Sequence, residues 1–184
     1  MLMAQKIKTK KREIEISNHK KEMFPDDHIT KLDMAEYYKK IADHMLPYIE
    51  DRPLMMQRFP NGIEENGFYN KEMPGHFPDW IKGIKVKVKR ESKEKQRFVN
   101  ARNVDTLIYL ANQAVITMHT WPSKKNRPEK PDKMIYDLDP PGNDFSDVRQ
   151  AALDLKELLN ECDIEPFVMT TGSKGLHVLV PIKP

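Results

Sequence analysis

The last third of the chain leaves the least conformational freedom. Met134 to Leu138 is a short apolar strand pattern that runs into Asp137-Leu138-Asp139 and the turn-former Pro140-Pro141-Gly142. Behind it Val148, Ala152, Leu155 and Leu159 recur at helical spacing on one face, and Asp144 or Asn143 can cap the helix they imply. Two more apolar runs, Glu165 to Met169 and His177 to Ile182, flank the polar stretch Thr170-Thr171-Gly172-Ser173-Lys174-Gly175. A strand, a helix and two further strands bury their apolar faces only against one another. The pattern is a strand–helix–strand unit plus a hairpin, an α/β arrangement.

The upstream residues alternate between the same two periods. Thr30 begins a helix, with Asp33 three residues later as its capping-box partner, and Met34, Tyr38, Ile41 and Met45 on one face. Pro47 is expected to end it. Strands follow at Leu54 to Phe59 and Gly67 to Lys71 around the Asn61-Gly62 turn. Ile84 to Lys89 alternates apolar and basic residues and should pair with Arg97 to Asn100. Asn103 can cap a helix carrying Leu107, Leu110 and Ala111. Ala114 to Met118 is a short strand leading to His119, and Thr120 to Asp132 is loop. The lysine-rich start is either a mobile arm or an early edge strand ending in Glu13-Ile14-Glu15-Ile16. The organisation expected is a basic arm over residues 1–17 and one domain over residues 18–184.

Composition excludes several classes. The chain has 184 residues, 39% hydrophobic and 32% charged, with 14 prolines and 7 glycines, which suits one globular domain or one large lobe. No apolar run approaches the roughly 20 residues that span a bilayer, and Met1 to Arg12 lacks a signal-peptide apolar stretch. One cysteine, Cys162, permits no internal disulfide and fits a reducing cytoplasm. The net charge of +3 argues little for nucleic acid. The basic clusters at Lys6 to Arg12, Lys82 to Arg97 and Lys124 to Lys133 argue more, since such patches can track a phosphate backbone, although a solvated face explains any one of them alone.

Two constellations carry chemistry. Strand residues two apart share a face, so Asp137 and Asp139 lie together, opposite Met134, Tyr136 and Leu138. Paired carboxylates repel unless a cation sits between them, and hard divalent ions favour carboxylate oxygens together with substrate phosphates. The plainer alternative is that Asp139 opens the Pro-Pro-Gly turn and Asp137 merely ends a strand. The segment Thr171 to His177 offers two glycines for close backbone approach, N–H groups that can nest an anion, hydroxyls on Thr171 and Ser173, and the charge of Lys174. It is not a Walker A loop, and a glycine hairpin with an exposed lysine is its plainer alternative. The six histidines and one cysteine lack zinc-ligand spacing.

In combination these segments resemble the polymerase domain of DNA ligase D, a branch of the archaeo-eukaryotic primase superfamily. The resemblance runs from Asn18 to Ile182. It is carried by Lys21-Glu22-Met23-Phe24-Pro25, Ile29-Thr30-Lys31, Arg52-Pro53-Leu54, Arg58-Phe59-Pro60-Asn61-Gly62, Gly67-Phe68-Tyr69-Asn70-Lys71, Met118-His119-Thr120-Trp121, Tyr136-Asp137-Leu138-Asp139-Pro140 and Gly172-Ser173-Lys174-Gly175-Leu176-His177. It implies a two-lobed primase-polymerase-like fold (α+β, mixed or antiparallel sheets with flanking helices) and a metal-dependent nucleotidyltransferase. Such an enzyme extends primers during non-homologous end joining with NTPs, preferred, or dNTPs, using Mn²⁺ or Mg²⁺. Asp137 and Asp139 then resemble metal ligands and His119 a triphosphate contact. Thr171, standing where the family has serine, lies in the nucleotide-binding motif with Ser173, Lys174 and His177. Arg52 resembles an arginine near the incoming nucleotide, Lys21 and Lys31 the pair that grips a DNA 5′-phosphate, and Phe68 and Tyr69 an aromatic pair stacked on a template base.

The family's third carboxylate lies in a later strand, so the second lobe is expected to be incomplete here. The chain is expected to bind nucleotide or DNA without extending primers robustly by itself. Expected partners are DNA ends, NTP or dNTP, and the Ku, ligase and nuclease modules of a repair complex, with no membrane, in a prokaryotic cytoplasm at the nucleoid. The alternatives are a non-catalytic DNA-end-binding module, a primase that starts chains without a primer, and a basic scaffold.

Overall fold

A computed structural model describes residues 5–87, 95–142 and 144–184. Residues 88–94, which include Val88 and Lys89 of the alternating run and part of the stretch from Lys82 to Arg97, and the alternative cap Asn143 therefore lie outside the described residues. The chain divides into two compact units, residues 1–121 and residues 122–184.

The first unit opens with a hairpin, β1 (Gln5–Lys8) against β2 (Glu13–Ile16). Its lysines and glutamates point outward while Ile7, Ile14 and Ile16 are buried in the main core. Of the two readings of this segment, the strand is the one observed: three isoleucines at alternating positions give it an apolar face to bury. The short strands β3 (Glu22–Phe24) and β4 (Ile29–Thr30) lead into helix α1 (Lys31–Ile49). Thr30 and Asp33 cap α1 reciprocally, side chain to backbone in both directions. Pro47 does not end the helix as expected. It lies in the last turn, where its missing N–H forfeits a single hydrogen bond, and buried Ile49 holds the turn against the core while Glu50 N–H still reaches the Leu46 carbonyl.

A five-stranded antiparallel sheet follows. Strand β5 (Leu54–Arg58) pairs with β6 (Phe68–Asn70), with β8 (Lys95–Val99) and with β9 (Val115–Thr120), and β7 (Gly83–Lys87) pairs with β8. Gly62, at φ +103°, makes the turn before β6 in a conformation that side-chain-bearing residues rarely adopt. Helix α2 (Val104–Asn112) is capped by Asn103, whose side chain accepts the Thr106 N–H at 2.9 Å. Helices α1 and α2 pack with Leu54, Met56, Val99 and Val115 into the main core. The register puts Met55, Gln57, Thr117, His119 and Tyr69 on the opposite face of the sheet.

The second unit is the strand–helix–strand plus hairpin that the sequence implies. Strand β10 (Lys133–Leu138), helix α3 (Phe145–Glu161), β11 (Phe167–Thr170) and β12 (Leu176–Pro181) form a three-stranded sheet in the order β10-β12-β11, with β12 antiparallel to both neighbours. The central strand is thus the last to arrive, a split β-α-β arrangement. Asp144 caps α3 by accepting the Ser146 N–H at 2.8 Å. Tyr136 and Leu138 pack with Leu159, Val178 and Val180 as expected, but Met134, assigned to the same buried face, remains exposed. Its register partner Val180 is buried on the central strand β12, whereas Met134 stands on the edge strand β10. Among the described residues, no helix is long and apolar enough to cross a membrane.

Candidate functional site

The acidic pair sits where β10 ends. Asp137 is the register partner of His177, and its Oδ1 accepts from His177 Nε2 at 3.1 Å. Asp139 comes just after the strand and lies over Gly175, where a Cβ would collide with the Asp139 carboxylate and the Leu138 carbonyl oxygen. Glycine at this position is therefore a packing requirement of the carboxylate opposite. Both aspartates are exposed. His177 Nδ1 is buried and, among the described residues, has no hydrogen-bond partner.

The Thr171–Gly175 loop is organised by one hydroxyl. Thr171 Oγ1 donates to the Gly175 carbonyl at 3.0 Å and accepts the N–H groups of Ser173 and Gly175, both at 3.3 Å. Gly172 supplies the left-handed residue at φ +79°. Thr171 thus shapes the loop, while the Ser173 and Lys174 side chains project from it, exposed. Among the described residues no group of three or more His, Cys, Asp or Glu side chains is placed to hold a metal ion. Two carboxylates still fit an ion such as Mg²⁺, which typically takes one or two carboxylates and fills its remaining positions with substrate phosphates and water.

A different arrangement surrounds Lys21 and Lys31 in the first unit. Lys31 opens α1 and is 6% exposed. Its ammonium donates to Ser17 Oγ at 3.3 Å and to the Asn112 carbonyl at 3.4 Å. The Lys31 backbone N–H bonds the Lys21 carbonyl, and Lys21 Nζ donates to Asn61 Oδ1 at 3.1 Å. Burial first, and the Lys21 charge second, lower the Lys31 pKa from the ordinary lysine value. Among the described residues neither ammonium has a carboxylate partner.

His119 and Tyr69 share the sheet face opposite the main core. His119 Nε2 meets Gln57 Oε1 at 3.3 Å, and the His119 and Tyr69 rings lie 5.7 Å apart. Phe68 points to the other face, beneath the Arg58 guanidinium at 5.5 Å, which Gln113 and Asn70 hold in place. Adjacent strand residues diverge, so the aromatic pair of the sequence becomes two separate surfaces. Arg52 is buried, and its Nε donates to the Tyr48 carbonyl at 3.2 Å near the end of α1.

Sequence reasoning picked out the charged and aromatic residues and missed the supports Ser17, Gln57 and Asn112, while Arg58 and Asn61 were singled out without the supporting role they take here. Ser17 and Asn112 are 95 positions apart, and no local pattern links them.

The second unit thus sets an acidic pair against a Gly-Ser-Lys-Gly loop within an antiparallel-sheet α/β fold. The sequence profile of the LigD primase-polymerase domain matches residues 30–184, and the chain belongs to that family. The multifunctional non-homologous end joining protein LigD of Mycolicibacterium smegmatis is 29% identical over 172 residues, 92% of this chain and 22% of that protein. The bifunctional non-homologous end joining protein LigD of Bacillus subtilis is 28% identical over 163 residues, 88% of this chain and 25% of that protein. Among solved structures, the polymerase domain of Mycobacterium tuberculosis ligase D in complex with DNA matches with a TM-score of 0.82 and 26% identity over 93% of this chain. The chain spans about a quarter or less of the length of these curated relatives and 62% of that solved domain.

Proposed function

We propose that this chain acts as a DNA-repair polymerase domain of the primase type, binding a DNA end through its 5′-phosphate and a nucleoside triphosphate beside a divalent metal. One observation carries the DNA-end part: a buried lysine with a second lysine beside it and no described carboxylate to neutralise either. A buried ammonium costs free energy unless an anion compensates it, and a terminal phosphate is the compact anion that two ammonium groups can share. The resemblance of Lys21 and Lys31 to the family's phosphate-gripping pair, and a relative solved with DNA, support the reading.

The second unit supplies the chemistry in this proposal. Asp137 and Asp139 would hold Mn²⁺ or Mg²⁺, which when bound offsets phosphate charge and lowers the pKa of a primer hydroxyl. Gly175 keeps the backbone clear for the Asp139 carboxylate. Ser173, Lys174 and the N–H groups of the loop suit a triphosphate, and His177 Nε2–H can exchange its Asp137 acceptor for a phosphate oxygen. In the first unit His119 is the expected triphosphate contact. Tyr69 lies on its face, and Phe68 offers a separate ring for an unpaired base. Ku, ligase and nuclease modules are the proposed partners, and the cytoplasm, at the nucleoid, the proposed location.

The test compares gapped DNA carrying a 5′-phosphate with the same DNA carrying a 5′-hydroxyl. The parent chain should prefer the phosphate, and Lys21→Ala/Lys31→Ala should lose that preference. A double variant that still discriminates would show that the phosphate binds elsewhere. Metal-dependent nucleotide incorporation, measured on the same substrates, separates a polymerase from the second reading, an end-binding module without catalysis. That second reading has in its favour that the lysine pair and its described hydrogen-bond partners lie wholly in the first unit.

A further inference from the structure

The β1–β2 hairpin carries a basic turn that the proposed DNA-end pocket does not use. Lys8, Lys10 and Lys11 stand on that turn, exposed, over a cleft of about 550 Å³ whose other walls are Lys39 and Asp43 of α1 and the Asn103–Asp105 start of α2. Among the described residues none of the three turn lysines is ion-paired, whereas Lys6 and Lys39 are paired with Glu13 and Glu36.

The turn is held in place. Thr9 Oγ1 accepts the Lys11 and Arg12 N–H groups at 3.1 and 3.0 Å, and the Thr9 N–H bonds the Arg12 carbonyl at 2.8 Å. Arg12 lies over the Trp80 ring at 4.8 Å and 3.8 Å from buried Asp105. Ile7 and Ile14 anchor the strands beneath. Three lysines on an ordered turn form a preorganised cation cluster, which loses less entropy on meeting an anionic surface than a mobile tail would. The cleft's acids, Asp43 and Asp105, leave it net positive because Asp105 already faces Arg12.

Position gives the cluster its partner. At one end of α2, Asn112 accepts from Lys31 of the phosphate pocket, and at the other end Asn103–Asp105 line the lysine cleft. A nine-residue helix spans about 13 Å, which corresponds to roughly four base pairs of duplex rise. We infer that the hairpin turn is a second contact for the DNA phosphate backbone, gripping the downstream duplex about four base pairs beyond the 5′-phosphate held by Lys21 and Lys31. The inference rests on the DNA-end reading above and adds a site to it.

The test is fluorescence anisotropy across a salt series, with 5′-phosphorylated gapped DNA whose downstream duplex, closed at its far end by a hairpin loop so that it stays annealed, is about twelve or about two base pairs long, lengths chosen to include or exclude the second contact. Lys8→Ala/Lys10→Ala/Lys11→Ala should weaken binding of the long duplex on the order of tenfold and reduce the slope of log affinity against log salt by about 2 to 3. Binding of the short duplex and the preference for 5′-phosphate over 5′-hydroxyl should persist, as should the melting temperature, and arginine at all three positions should restore affinity. Unchanged affinity and slope on the long duplex would overturn the inference, and so would an equal loss on both lengths. Loss of phosphate preference in Lys21→Ala/Lys31→Ala, or its absence from the parent chain, reports on the end pocket alone, so the two readings fail separately.

Discussion

The lysine pocket of the first unit and the acidic pair of the second are built on opposite plans. Lys31 is buried, hydrogen-bonded to Ser17 and to the end of α2, and carries its charge before any ligand arrives. Asp137 and Asp139 are exposed at a strand end, with His177 and Gly175 as their described surroundings. The first site has met the cost of desolvation during folding and waits for one anion. The second leaves its carboxylates hydrated, which would suit the proposed uptake of metal and triphosphate together. On that proposal, the buried site would recognise a 5′-phosphate and the open one would turn substrate over.

The widest separation between the two sites should come from Asp137→Ala/Asp139→Ala. Where the parent protein incorporates nucleotides, this variant should lose activity by on the order of 10²-fold or more, the scale on which removing transition-state electrostatic contacts acts. Its affinity for 5′-phosphorylated gapped DNA should be unchanged, and a matching fall in DNA affinity would break the proposed division of labour. Gly175→Ala is a subtler probe of the same site. Its Cβ must displace the Asp139 carboxylate or the Leu138 carbonyl, so incorporation should fall on the order of tenfold to hundredfold while DNA-end affinity holds. Full activity in this variant would show that Asp139 need not lie over β12.

Lys31→Met tests the desolvation claim directly. The folded-state pKa of Lys31 is lowered, so between that value and the ordinary lysine value the unfolded chain holds a proton that the folded chain has released. The parent's stability should therefore rise with pH across that window, and thermal melts of Lys31→Met should lack the rise. At neutral pH the variant should melt higher than the parent while losing 5′-phosphate preference, the expected exchange of function for stability. A lower melting temperature would mean that the bonds to Ser17 and Asn112 outweigh the burial cost. The smallest effect belongs to the divided aromatics. Phe68→Ala should weaken binding of DNA with an unpaired template base by about fivefold, the low end of base-stacking contributions. Tyr69→Ala, on the His119 face, should instead raise the KM for nucleotide. Identical profiles for the two variants would contradict the opposed orientations.

The capped helices and the C-terminal strand–helix–strand unit with its hairpin were legible because each rests on local physics, whereas the β1–β2 pairing and the central place of β12 came only with the structure. Thr30 with Asp33, Asn103 and Asp144 are caps whose partners lie within three residues. Two misreadings share one cause. Pro47 looks like a stop because its local effect is unfavourable, yet distant packing around Ile49 carries the helix past it. Met134 looks buried because its strand alternates, yet burial depends on whether another element covers it.

The sequence by itself determined which residues carry charge and hydroxyls and which strand and turn hold Asp137 and Asp139, because side-chain chemistry and short-range periodicity are properties of neighbouring residues. Only the tertiary structure decided that Lys31 is buried against Ser17 and Asn112, that Gly175 makes room for Asp139, and that Phe68 and Tyr69 part to opposite faces of one sheet. Those outcomes depend on strand register and on contacts between distant segments, and both are set when the elements pack.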